Sequence, residues 1–83
     1  MAEATSKTIS GIGLQLSSTQ LFFIRGTTAA NSDTFTVNGL TTVIGAFLIS
    51  TTGTVGTMTF ATNVITITNG STLVWTGLCW GTP

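Results

Sequence analysis

Apolar and polar residues alternate with a period of two along much of this chain. The alternation is cleanest from Thr57 to Thr68, read Thr-Met-Thr-Phe-Ala-Thr-Asn-Val-Ile-Thr-Ile-Thr. Side chains alternate faces along a strand, and cross-strand neighbours share a face. A two-residue turn at Thr62-Asn63 sets Phe60 opposite Ile65 and Met58 opposite Ile67, while Thr59 meets Thr66 and Thr57 meets Thr68. The pattern predicts a β-hairpin with Met58, Phe60, Ile65 and Ile67 on its buried face. Asn63 suits the positive φ of a tight turn. A one-residue slip would pair Phe60 with a threonine, so the register is fixed.

The same period extends outward from the hairpin. Residues 1–8 are polar and read as an extended N-terminal arm, leaving residues 9–83 as a single β-domain. Ile12, Leu14 and Leu16 alternate with Gly13 and Gln15, as in a half-buried strand, and Ser17-Ser18-Thr19 turns the chain. Leu21-Phe22-Phe23-Ile24 is apolar on both faces, which implies a second face covered by another chain or by a core element folding over it. Gly26 to Asp33 reads as an exposed loop. Thr34 to Asn38 points Phe35 and Val37 inward and ends at an Asn38-Gly39 turn. Val43 to Ile49 is the longest apolar run, and its Val, Ile and Phe content favours strand over a helical turn around residues 41–46. A loop at Thr68-Asn69-Gly70-Ser71, with Gly70 left-handed, would pair Ile65 with Leu73. The last strand then sets Leu73, Trp75 and Cys79 on one side and Val74, Leu78 and Trp80 on the other. Six or seven short strands separated by turn signals predict a small antiparallel β-sandwich or barrel.

Composition changes the picture by removing the usual means of holding so small a domain together. Chains of this length bury only about 60% of their unfolded surface and usually need a staple or a partner. Cys79 is the single cysteine and there is no histidine, so neither an internal disulfide nor an ordinary zinc site is expected. Charged residues are 5% of the chain, the net charge is zero and the mean hydropathy is +0.56, against about 25% charged residues in ordinary soluble domains. Copies of this chain have little charge to hold them apart. The expected partners are therefore other copies, in an oligomer or a polymer.

Lys7 and Arg25 are too few to neutralise nucleic-acid phosphates or to hold an anionic membrane. Residues 1–8 lack the basic start and apolar run of an export signal, which predicts a protein made in the cytosol and kept or assembled there.

No residue set suggests a reaction. Without histidine the commonest general base and the Ser-His and Cys-His pairs are missing. Glu3 and Asp33 read as two solvated acids, and a serine paired with Lys7 would place its base in the tail. Gly11-Ile12-Gly13 lacks the lysine and helix of a phosphate loop. No catalytic, cofactor or metal site is expected. Asn69-Gly70-Ser71 matches a glycosylation acceptor but reads as a turn. Trp75 reads as core, Cys79 as an inert buried thiol, and Trp80 as an interface anchor or a sugar platform. Arg25 is a candidate for an inter-subunit pair with Asp33 or Glu3.

The Thr34–Val37 strand, Asn38-Gly39-Leu40-Thr41-Thr42-Val43 and the closing Trp75-Thr76-Gly77-Leu78-Cys79-Trp80-Gly81 give the chain a likeness. It resembles small virion proteins of tailed bacteriophages, and among them capsid decoration (cement) proteins. The resemblance implies an oligomer, often a trimer, seated on the virion shell, clamping neighbouring capsomers and contacting a major capsid protein. It gives residues 1–10 a docking role. Lys7, Ile9, Phe22, Ile24, Arg25 and Trp80 are the interface candidates; Phe35, Val37, Met58, Phe60, Ile65, Ile67, Leu73 and Trp75 are the core candidates. A subunit of an extracellular or viral filament, a carbohydrate-binding fibre tip and an oligomeric membrane β-barrel are the alternatives.

Overall fold

The computed structural model describes residues 2–16 and 18–83, the side chains of residues 12–16 excepted, so the expected alternation of Ile12, Leu14 and Leu16 lies outside the described side chains. The described residues form seven strands and no helix: β1 Thr5–Leu16, β2 Thr19–Thr28, β3 Asp33–Thr36, β4 Thr42–Ser50, β5 Met58–Ala61, β6 Val64–Ile67 and β7 Leu73–Thr82. They make two antiparallel sheets, β1-β2-β7-β4 and β3-β6-β5. The fold is a small all-β sandwich. The apolar run at residues 43–49 lies within β4 and not in a helical turn, as expected of its β-branched and aromatic side chains.

The hairpin has the predicted register: Met58 opposite Ile67, Thr59 opposite Thr66 and Phe60 opposite Ile65. The positive φ falls on Thr62 (52°) rather than on Asn63. Ile65 and Ile67 are fully buried with Phe35, Val37 and Trp75, while Met58 and Leu73 pack at the margin of this core. Phe60 departs from the core assignment and is 39% exposed. It shares a face with Ile65, but β5 is the outer strand of its sheet, so Phe60 sits at the rim.

Two further expectations are corrected. Ile65 does not pair with Leu73: β6 is flanked on both sides by β3 and β5, and Leu73 pairs instead with Thr28 of the other sheet. The left-handed residue of that connection is Ser71, at φ 50°. Gly70 is needed for closeness, because a Cβ there would stand 2.5 Å from the Ala30 carbonyl oxygen. The expected loop from Gly26 is also shorter, since β2 continues to Thr28 and β3 begins at Asp33.

Backbone hydrogen bonds join the two sheets along both sides. On one side residues 2–4 run beside β3: the Ala4 N–H donates to the Thr34 carbonyl and the Thr34 N–H donates to the Ala2 carbonyl, each at 2.8 Å. The chain then crosses to β2 through Ser6 (φ 51°) and a register shift between Thr5 and Thr8. Thr5 to Thr8, read above as part of an arm, thus belong to β1. On the other side the Val43 N–H donates to the Thr62 carbonyl at 2.8 Å, and the Gly56 N–H donates to the Leu48 carbonyl at 2.9 Å.

Candidate interaction surface

The few charged groups are absorbed by the fold. Asp33 begins β3 and is buried. One carboxylate oxygen accepts from the Ala29 and Ala30 N–H groups at 2.8 and 3.1 Å, and the other accepts from the Ala2 N–H at 3.1 Å. Backbone donation from Ala29, with Ala2 and Ala30, holds its pKa below the usual aspartate value despite burial. Glu3 is exposed yet fully engaged, accepting from the Thr36 N–H and hydroxyl, the Thr34 hydroxyl and Lys7 Nζ, the last at 2.6 Å. Partial burial pushes the Glu3 pKa up, but Lys7 and the threonine donors outweigh it and the net shift is downward. The two acids read as solvated are therefore clips that fasten residues 2–7 to β3 and its loop. Lys7 is bound within the same clip, and Arg25 donates to Thr76 Oγ1 at 3.0 Å rather than to either acid.

Trp75 and Cys79 face the core from β7. The Trp75 indole Nε1–H donates to Thr28 Oγ1 at 2.8 Å, and that hydroxyl donates on to the Gly70 carbonyl at 3.0 Å. Burial alone pushes the Cys79 thiol up to about 11, so the thiolate is scarce at neutral pH. Among the described residues no three His, Cys, Asp or Glu side chains cluster as metal ligands, and no helix is long and apolar enough to cross a membrane. A groove of about 240 Å³ lies between β1 and the β3 side, lined by Lys7, Ile9, Phe22, Thr36, Asn38 and Gly39. Its one cation is already paired with Glu3.

The other candidate contacts separate by face. Phe22 and Ile24 point into the core, at 8% and 0% exposure, and Ile9 packs against it. That corrects their reading as interface residues. Strand alternation gives the outer face to Leu21 and Phe23 instead, and Phe23 is 40% exposed. Trp80 does lie on the outer face, half-buried, its indole lying across Gly45 where a Cβ would stand within 2.6 Å of the ring. Cross-strand register assembles a continuous surface around it. Phe23 of β2, Leu78 of β7 and Phe47 of β4 stand side by side in one row. Leu21, Trp80 and Gly45 form the next row on one side. Arg25, Thr76 and Ile49 form the next on the other, extended by the bridge from Ile49 to Val55. Phe23, Phe47, Ile49, Val55 and Leu78 are each 38–52% exposed. They account for most of the large apolar exposure of the described residues; of the interface candidates read from the sequence, Arg25 and Trp80 lie on this face. The signal was present in the doubly apolar runs, and only the assignment of inner and outer faces was missing.

No family model, curated protein or solved structure matches this chain.

Proposed function

We propose that this chain is a non-enzymatic structural subunit that acts by self-association. Its proposed role is that of a capsid decoration protein, stabilising a virion shell through contacts with its own copies and with a major capsid protein. The observation that carries the reading is the outer face of the four-stranded sheet. Five large apolar side chains, each between 38% and 52% exposed, are gathered there on adjacent strands and the Val55 bridge beside them. Contiguous exposed apolar surface of this kind marks an interaction site. The charge economy supports the same reading. Glu3, Lys7 and Asp33 are committed to intramolecular bonds, leaving Arg25 as the charge on this face.

A filament built by strand addition needs open strand edges. Here residues 2–4 cover β3, and backbone bonds from Val43 and Gly56 cover part of β4. β1 ends the four-stranded sheet with β2 as its one ladder partner, so it is the apolar face rather than closure of every edge that favours sheet-face contact over edge-to-edge polymerisation. Negative-stain microscopy of the purified protein tests the distinction. Discrete particles that coat added empty shells are expected; long filaments formed by the protein alone would replace this reading with the polymer.

A further inference from the structure

We propose that the outer face of β2, β7 and β4 packs against the same face of a second copy, about a two-fold axis that sets Leu78 against its own counterpart. This rests on the reading of the chain as a self-associating subunit and names the surface that does it. The first support is the arrangement of the face. Its apolar centre is the Phe23–Leu78–Phe47 row, while Thr8 and Ser10 of β1, beside Arg25 and Phe23, make one polar border. Interfaces have this anatomy, a dry apolar core inside a polar rim.

The second support is charge. A two-fold contact sets like against like, so a face rich in one sign would repel itself. This one carries Arg25, held at the margin by Thr76, and no acid. Its Phe23, Phe47 and Leu78 centre is uncharged and therefore self-compatible. A partner of opposite charge would find little here to recognise.

The third support is area. The four strands have nine to twelve residues. At about 3.3 Å per residue and about 4.8 Å between strands, β2, β7 and β4 present roughly 30 by 14 Å, on the order of 400 Å², and the β1 border brings this to roughly 600 Å² before side-chain relief is added. That approaches the roughly 800 Å² per partner of a standard stable interface. The geometry is the ordinary one for stacked sheets, face to face at about 10 Å with strands nearly aligned. A two-fold axis lying in the plane between the two sheets and passing over Leu78 sets Leu78 against Leu78, with Phe23 and Phe47 one strand away on either side.

The test uses charge at that position. Leu78→Glu and Leu78→Lys proteins, each checked for native circular dichroism, are run by sedimentation against the wild type. Wild type is expected at twice the chain mass of 8.5 kDa or an even multiple. Each variant alone is expected to fall at least twofold in mass, and an equimolar mixture of the two to regain the wild-type value. Thr59→Glu, on the exposed face of the other sheet, is expected to leave the mass unchanged. If Leu78→Glu does not fold, Phe47→Gln, at a side chain 52% exposed, reads the same loss. A wild type that stays monomeric would overturn self-association itself. Wild-type assembly undisturbed in the Leu78 variants would overturn this face alone. A trimeric mass, or two monomeric variants that do not reassociate when mixed, would overturn the two-fold axis.

Discussion

Thr28 and Asp33 show how single polar residues stabilise a domain that has so few of them. Thr28 is fully buried between the indole of Trp75 and the Gly70 carbonyl, and its hydroxyl serves both. Thr28→Val keeps the shape and removes the acceptor, leaving a buried N–H unsatisfied. A loss of about 1–3 kcal/mol in urea unfolding is expected, with the fold retained. Asp33 and Glu3 predict the acid limb of stability. Both have pKa values lowered by folding, so each binds fewer protons in the folded chain than in the unfolded one. The stability they contribute is complete above the ordinary carboxylate range and is lost as pH falls through it toward the lowered folded values. Urea midpoints should therefore drop between roughly pH 5 and pH 3. Asp33→Asn should flatten that slope, because the amide does not titrate, and should lower stability at neutral pH, because an amide nitrogen would face backbone N–H donors. An unchanged slope would contradict the clip at residues 2–4.

The elements divide into those whose partners are local and those whose partners are not. Phe60 and Ile65 meet across a two-residue turn, so alternation alone sets their register, and the hairpin pairing was legible, though not the rim position of Phe60 or the positive φ at Thr62. The two sides of β7 were legible for the same reason. Strand order was not, because the residues that decide it are distant. Nothing around Leu73 shows that β6 is already flanked by β3 and β5, or that Thr28 is the true partner. Nor does the Leu21–Ile24 run reveal which alternate residues face inward. Asp33 was misread because its partners are backbone donors, which every residue has, and Glu3 because Thr34 and Thr36, which hold it beside Lys7, are distant in sequence. The rim position of Phe60 has a measurable consequence. Phe35→Ala, at a fully buried site, should cost about 3–5 kcal/mol, whereas Phe60→Ala should cost only about 1–2 kcal/mol. Equal losses in denaturant unfolding would place Phe60 back in the core. Close strand packing makes a further demand at Gly77, where a Cβ would strike the backbone carbonyl of Phe47 on β4. Gly77→Ala should destabilise by about 1–3 kcal/mol, read as a lowered thermal midpoint.

At the scale of the whole molecule, the described residues close a core from seven strands, with the single cysteine buried as a free thiol and no helix among them. Backbone bonds along both sides of the sandwich shield strand edges that would otherwise recruit other chains. The apolar surface that remains is concentrated on one broad face rather than scattered. A domain this small gains stability when that face is covered, so assembly and folding should be linked: the thermal midpoint should rise with protein concentration. Self-association is the central claim, and light scattering on the purified wild-type chain over a dilution series tests it most directly. A mass of at least twice 8.5 kDa, falling toward the single chain only on strong dilution, is the predicted result. A constant mass of 8.5 kDa at every concentration would contradict the account.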